Sequence, residues 1–143
     1  MSNYQVVSSI TENLRQLLQG EGIKFSAKVF EDESAIPMSL IPFGRILYKG
    51  ESFEHSYGMK PGYVDAEFLT TVTLKGNDDA SLMDEAQLWT HRLREAVTVS
   101  AVNVGGLSAS KPVTQAAISK VDVKRDGELI SLSGVVTLRY REG

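Results

Sequence analysis

Apolar and polar positions alternate along residues 113–140, with the dipeptide Asp126-Gly127 between the two halves. This dipeptide is typical of a two-residue hairpin turn, whose central residues favour positive φ angles. A turn centred there predicts a β-hairpin in which Val123 lies opposite Ile130 and Val113 lies opposite Tyr140. One face of the hairpin is then almost entirely apolar. A slip of one residue would exchange the two faces, so the register is strongly specified.

The opposite face of this hairpin is predicted to be polar. In the same register Thr114 lies opposite Arg139, and Ile118 with Val135 forms the single apolar pair. Of the other members of this face, Lys120 lies opposite Ser133, Asp122 opposite Ser131 and Lys124 opposite Leu129.

Two segments carry apolar residues at helical spacing, and we predict amphipathic helices over residues 4–19 and 80–97. Broad apolar stripes of this kind are expected to cover a sheet. The stripe of the first helix comprises Val6, Val7, Ile10, Leu14, Leu17 and Leu18, and that of the second comprises Leu82, Ala86, Trp89, Leu93 and Val97.

Residues 63–74 show the alternation of a strand with one buried face. The residues on that face are Val64, Ala66, Phe68, Thr70, Val72 and Leu74. Two further strands are predicted at residues 25–29 and 35–41. Pro37 and Pro42 remove hydrogen-bond donors from the second of these, which places it at a sheet edge or breaks it.

Residues 43–62 are the least regular stretch of the sequence. They combine several glycines with large apolar side chains, namely Phe43, Tyr48, Phe53, Tyr57 and Met59. A long connection rarely carries so many, because loops normally face water. Two interpretations stay open: a short hairpin folded onto the core, or an irregular arm whose aromatic side chains are covered by another chain.

This order of elements predicts one α+β domain over residues 1–143. The expected architecture is two helices packed on one antiparallel sheet, with a long C-terminal β-hairpin. A chain of 143 residues is long enough for one hydrophobic core.

The charge balance narrows the choice of partners. The formal net charge is -3 and the pI is about 5.4, whereas a dedicated DNA or RNA binder usually carries a basic surplus. The chain has no cysteine, which excludes a disulfide framework and thiolate metal sites. No apolar run approaches the roughly 20 residues that span a bilayer, and the N-terminus shows no signal segment. We therefore expect no membrane partner and folding in the cytoplasm.

The sequence carries no catalytic signature. His91 stands one helical turn before Glu95, but no third metal ligand follows at a fixed spacing. Ser108 and Lys111 match the S-x-x-K pattern of serine acylases, whose other two motifs are missing. We predict a protein that is not an enzyme and has no catalytic residue, metal or cofactor.

The predicted hairpin is long for a domain of this size. Strands of about 13 residues would reach ~40 Å, whereas a compact domain of this length has a radius of gyration of only ~14 Å. Gly134 is expected to mark a bend or a bulge. Strands that extend past the helices leave sheet edges open, and another copy of the chain is the simplest partner for them. We therefore predict a homo-oligomer.

The order of these elements resembles that of the tail terminator proteins of tailed bacteriophages and of related minor tail and tail-completion proteins. The similarity covers nearly the whole chain, from the N-terminal helix through the Ile-Pro segment and the irregular arm to the second helix with its central aromatic residue. The closing hairpin reads Arg125-Asp-Gly-Glu128 and then Val135-Val-Thr-Leu-Arg-Tyr-Arg141. That family has no catalytic residues, so the resemblance implies a structural role.

The resemblance implies a ring of six copies that caps the tail tube, stops its polymerisation and provides the surface for head joining. The implied partners are further copies of the chain, the tail-tube protein, the head–tail connector and, where one exists, the tail sheath. DNA would only pass through the channel. The implied location is the tail or neck of the virion, after assembly in the cytoplasm of the bacterial host. Two alternatives stay open: another neck or tail-completion component, and a small ligand-binding or enzymatic α+β domain.

Two groups of residues are the candidates for these contacts. The interaction group is expected to meet the tail tube or a neighbouring subunit and comprises Phe43, Tyr48, Phe53, Tyr57, Met59 and Tyr63. The second group is expected to line the channel or to meet a neighbouring subunit, with a solvated sheet face as the alternative, and comprises Lys120, Asp122, Lys124 and Arg139.

Overall fold

The computed structural model describes residues 3–26, 35–53, 62–103 and 113–141. The helices are α1 (Asn3–Gly20), α2 (Asp79–Ala96) and the short α3 (Val99–Val102), with a 3-10 helix at Met38–Leu40. The strands are β1 (Phe43–Phe53), β2 (Tyr63–Lys75), β3 (Val113–Asp126) and β4 (Leu129–Arg141). They form one antiparallel sheet in the order β1-β2-β4-β3. The predicted α+β class with a C-terminal hairpin is confirmed.

The hydrophobic core lies between the helices and one face of the sheet, which we call the inner face. The buried face predicted for β2 is confirmed, because all six of its members are buried. The helical stripes are also confirmed, although Val7 and Leu17 are only partly buried at the margin of the core. The buried members of the stripes are Val6, Ile10, Leu14 and Leu18 of the first, and Leu82, Ala86, Trp89, Leu93 and Val97 of the second.

Trp89 fixes α2 to the rest of the molecule. Its ring is buried, and the guanidinium carbon of Arg92 lies 4.1 Å from the ring centroid. Arg92 also donates a hydrogen bond of 2.8 Å to the backbone oxygen of Glu21, which follows α1. The side chain of Arg92 therefore joins the end of α1 to Trp89 of α2.

The turn of the β3–β4 hairpin lies one residue later than predicted. Asp126 still pairs with Leu129, so the two central residues are Gly127 and Glu128. Gly127 has a φ of 61°, a backbone conformation that glycine adopts without a steric cost. Near the turn, Val123 consequently lies opposite Leu132 rather than Ile130.

Two bulges in β3 each shift the pairing with β4 by one residue, and together they restore the predicted register at the far end of the hairpin. One lies between Ser119 and Val121, the other between Val113 and Gln115, and beyond them Val113 pairs with Tyr140 as predicted. Between the bulges the predicted facing was wrong. Ile118 lies opposite Val136 on the inner face, and Ser119 takes the place opposite Val135.

Gly134 lies opposite Val121, immediately beside the first bulge. A Cβ atom at Gly134 would lie 2.8 Å from Cδ1 of Ile118 and 3.3 Å from Cγ2 of Val121. Because Gly134 has no side chain, the side chains of Ile118 and Val121 have room to pack across β4. Gly134 thus marks a bulge, as predicted, but the extra residue is in the partner strand.

Between α1 and β2, one of the two interpretations left open for residues 43–62 and one predicted strand are wrong. Residues 43–53 are not part of an irregular arm but form the edge strand β1, which pairs with β2 as an antiparallel hairpin. Residues 35–41 do not form a strand; they contain the 3-10 helix, in keeping with the donors that Pro37 and Pro42 cannot supply. Of the predicted strand at residues 25–29, only the first two residues are described, and neither belongs to a strand.

The second face of the sheet, which we call the outer face, carries mostly polar side chains. Among the described residues it is buried mainly at one end, around Phe43, Thr73 and Ser131. Farther along, Leu47, Leu69 and Val135 are exposed or half-buried. The outer face is therefore available to other molecules over much of its length.

Candidate functional site

A cleft of about 850 Å³ opens between α1 and the end of β1. Its volume is in the range of ligand pockets. One wall is the exposed side of α1, and the floor is the inner face of β1 together with the end of β4. The lining residues are Tyr4, Val7, Ser8, Thr11 and Glu12 of α1, Tyr48, Glu51 and Phe53 of β1, and Tyr140 of β4.

A bulge in β1 brings the floor residues to the same face. Tyr48 lies opposite Phe68, but Gly50 already lies opposite Glu67, so the pairing skips Lys49. Gly50 has a φ of 111°, which residues with a side chain rarely adopt. Without the extra residue, Tyr48 and Glu51 would point to opposite faces of the strand. The bulge turns both toward the cleft.

The carboxylate of Glu51 is held by two tyrosine hydroxyl groups. Tyr140 donates to Oε1 over 2.7 Å, and Tyr48 donates to Oε2 over 2.8 Å. The hydrogen bond to Glu51, with smaller effects of burial and of the negative charge, raises the pKa of Tyr48 above its usual value. No Lys or Arg side chain forms an ion pair with Glu51 within the ranges that the structure describes.

Exposed aromatic rings line the same cleft as this carboxylate. Tyr4 is 81% exposed, Tyr48 50% and Phe53 59%. The ring of Tyr48 packs on Phe68 of the core at a centroid distance of 5.8 Å, which leaves its other side to the cleft. Aromatic faces and a carboxylate both attract cations. The cleft is therefore suited to a positively charged group with an apolar stem.

The carboxylate of Glu12, on the α1 wall, already has a cationic partner. Arg15 lies one turn further along the helix and donates to both of its oxygens, over 2.9 Å from Nε and more closely from Nη2. These hydrogen bonds, helped by the charge of Arg15, lower the pKa of Glu12. Glu51 is thus the cleft carboxylate whose charge stays uncompensated by the described cations.

The predicted channel-lining group is spread over the outer face. Asp122 and Lys124 lie on the predicted face, but opposite Ser133 and Ser131 rather than Ser131 and Leu129. Lys120 is the extra residue of the β3 bulge. The ammonium of Lys120 lies 3.4 Å from Asp122. Arg139 donates to both carboxylate oxygens of Asp65, over 2.8 and 3.0 Å. Lys124 is exposed and forms no ion pair with any described residue.

The predicted interaction group is divided by the fold. Tyr48 and Phe53 line the cleft, whereas Phe43 is only 2% exposed and contributes to packing. Tyr63 lies on the outer face, with the guanidinium of Arg139 5.6 Å from its ring centroid. Tyr57 and Met59 lie outside the described residues.

Other cleft residues were not singled out from the sequence, above all Tyr4, Glu12, Glu51 and Tyr140. Tyr4 and Thr11 share a helix face at a spacing of seven residues, which is the one signal that the sequence offered. Nothing in the sequence relates α1 to the end of β1, because the two are far apart in the chain and meet through the common core.

The described residues contain no group of three or more potential metal-ligating His, Asp or Glu side chains. His91 is exposed on α2, while His55, Ser108 and Lys111 lie outside the described ranges. No helix in the described part of the chain is long and apolar enough to cross a membrane.

No protein-family model matches this chain, and no curated protein matches it significantly in sequence.

Proposed function

We propose that this chain is a structural protein of a phage or prophage tail, a tail terminator that forms a ring on the tail tube. In this role it ends tube polymerisation and offers its opposite surface to the head–tail connector. The proposal joins the resemblance of the element order to the two open edges of the sheet, and those edges carry the argument.

The observation that carries the proposal is the free edge of β3. This strand has 14 residues and is the last in the sheet. Beyond Val113, whose N–H and C=O bond to the side chain of Asn103, one side of its backbone pairs with no other described strand. Long exposed edges are templates for pairing with another chain. The two bulges divide this edge, and residues 115–119 and 121–126 are the regular stretches that a neighbouring copy in a ring can use.

The opposite edge of the sheet belongs to a different strand, β1. The edge of β1 that points away from β2 pairs with described backbone only at its start, where Lys24 forms a β-bridge with Phe43. Two unlike edges on opposite sides of one subunit allow head-to-tail contacts, which close into a ring when the rotation between copies permits. A terminator needs this type of closure.

The charges of the outer face agree with a channel or subunit surface. They alternate in sign, with Asp65, Glu67 and Asp122 interspersed among Lys124 and Arg139. A mixed face of this kind repels DNA less than an acidic one and holds it less tightly than a basic one. DNA could therefore slide past without being retained.

Capping of purified tail-tube protein tests this function. Tube protein of the same phage is allowed to polymerise with and without this chain, and the tubes are imaged by negative-stain electron microscopy. We expect shorter tubes that end in a ring of six copies. Tubes of unchanged length, with the chain remaining in the unbound fraction, would refute the assignment. Binding to the connector alone would identify another neck component.

The cleft favours a second candidate, a ligand-binding domain. Glu51 and the hydroxyls of Tyr48 and Tyr140 converge on a concave surface, which is the usual arrangement in a small-molecule site. Isothermal titration with organic ammonium and guanidinium compounds tests it. Binding by a chain that neither forms rings nor caps tubes would support this candidate over the terminator.

A further inference from the structure

We propose that Lys124 of one copy inserts into the cleft of the next copy and pairs there with Glu51. The inference rests on the proposed function, since it names the contact through which successive subunits of the ring join. It assigns an occupant to the cleft, namely a lysine side chain from a second copy of the chain.

The cleft fits a lysine by its chemistry. The carboxylate of Glu51 is fixed in position by the two tyrosine hydroxyls and has no cationic partner among the described residues. An ammonium group between exposed aromatic rings gains both ionic and cation–π attraction. The four methylene groups of lysine can lie along the apolar wall while its charged end reaches the carboxylate.

Exposed cations of other elements, such as Arg45 and Lys49 of β1, also lack a described ion pair, but on β3, the opposite edge strand, Lys124 is the cation available for this contact. Lys120 lies beside Asp122, and Arg125 pairs with Asp79 at 2.5 Å. Lys124 forms no ion pair within the described ranges and is exposed on the projecting edge strand. Of these three side chains, only Lys124 would gain a carboxylate without giving one up.

The two partners cannot meet within one copy. Lys124 lies opposite Ser131, and Tyr140 at the cleft lies nine residues further along β4. That separation amounts to about 30 Å along the strand. Lys124 is also on the edge strand β3, whereas Glu51 is on the other edge strand, β1. The contact must therefore be between copies.

The positions of the two partners give the contact a direction. Each copy offers a cleft on the inner face at one corner of its sheet and a lysine on the outer face at the diagonally opposite corner. At this contact the inner face of one copy therefore overlaps the outer face of the next. Such a contact is heterologous, so two copies that share one pair still have a free cleft and a free lysine. Addition of copies ends only when a ring closes.

The test uses two single variants of the full chain, Glu51→Gln and Lys124→Glu, studied by sedimentation velocity at micromolar concentration. Each alone should lose the ring, with association weakened at least about tenfold. Mixed in equal amounts they should form a 1:1 dimer, because the intact cleft of the Lys124→Glu variant can accept the intact lysine of the Glu51→Gln variant. Glu95→Gln and Arg94→Gln, at exposed positions of α2, are the matched controls and should assemble like the wild type.

The fold of each variant is checked by the fluorescence spectrum of Trp89, which should match that of the wild type. The melting temperature should fall in both single variants because the ring no longer stabilises the folded chain, and it should fall further in Glu51→Gln, which loses the charged acceptor of two tyrosine hydroxyls. If the wild type forms rings and either Glu51→Gln or Lys124→Glu assembles equally well, the inference is overturned and the terminator proposal stands. If the ring persists in Glu51→Gln but tube capping is lost, the cleft belongs to the tube protein, and the inference is likewise overturned. A wild type that stays a single chain at every concentration overturns both.

Discussion

The hydroxyl group of Tyr140 donates a hydrogen bond to Oε1 of Glu51 and so connects β4 to β1 across the intervening strand β2. Tyr140 is 1% exposed, so water cannot easily replace this bond. Tyr48 makes the matching bond to Oε2 from a half-exposed position. The same carboxylate thus accepts one bond from a buried and one from an exposed tyrosine.

This difference predicts unequal effects of removing the two hydroxyls. Tyr140→Phe should lower the free energy of unfolding by ~1–2 kcal/mol, because a charged acceptor loses a buried donor. Tyr48→Phe is the matched control and should cost clearly less, since water can take its place. Urea unfolding followed by Trp89 fluorescence measures both. Equal losses in the two variants would contradict this description of the cleft.

Thr70 offers an opportunity to stabilise the protein. It lies on the buried face of β2, and its hydroxyl finds no hydrogen-bond partner among the described residues. Replacing it with valine, which has the same shape, removes a buried polar group that has no partner. Thr70→Val should therefore raise the free energy of unfolding by ~1 kcal/mol, as measured by urea unfolding.

The neighbouring residue supplies the control for this substitution. The hydroxyl of Thr71 lies on the outer face, 3.3 Å from that of Ser133. Thr71→Val loses this contact and should give no gain. A Thr70→Val protein that is less stable than the wild type would show that the hydroxyl has a partner after all.

The Asp65–Arg139 pair predicts how stability depends on pH. The hydrogen bonds from Arg139, reinforced by its charge, lower the pKa of Asp65 below its usual value near 3.8 despite partial burial. A lowered pKa in the folded state means that the stabilisation is complete above the unfolded pKa and is lost as the pH falls through the folded one. Stability should therefore decline below about pH 4.

Asp65→Asn should remove this part of the acid response. The variant is expected to be less stable than the wild type by ~0.5–1 kcal/mol at pH 7, because the pair is partly exposed, and the difference should vanish toward pH 2. Arg139→Gln should likewise weaken the dependence of the free energy of unfolding on pH below about pH 4. Thermal unfolding between pH 2 and pH 7 measures it. A difference that stays constant over this range would contradict the pairing.

The helices and β2 could be predicted because each buries one side along its whole length. In α2 the predicted stripe from Leu82 to Leu93 is buried, and in β2 the six alternating residues are all in the core. A continuous buried side leaves a regular period in the sequence. Periodicity of this kind survives whatever the neighbouring elements are.

The strand β1 and the hairpin register could not be predicted in the same way. In β1 the bulge at Lys49 breaks the alternation, and Tyr48 and Phe53 stay exposed because they line the open cleft beside α1. In β3 the register depends on how Ile118 and Val121 fit over Gly134. Such a fit involves residues from two strands and leaves no mark in either strand alone.

The candidate site was predicted only in part for a related reason. Tyr48 and Phe53 stood out as aromatic residues without an evident place in the core. Glu51 did not, because its importance comes from Tyr140 and from α1, which meet it only in the folded chain. The polar positions Asp122 and Lys124 were correctly placed on the outer face, because moving the turn by one residue shifts their partners by two residues and so preserves the face.

The oligomeric state of the purified chain tests the central claim, that the two edges of the sheet join copies into a ring. Negative-stain images and sedimentation velocity across micromolar concentrations measure it together. The account predicts hollow particles of six copies, with association that weakens as salt screens the contact between copies. A single sedimenting species with the mass of one chain at every concentration would contradict it.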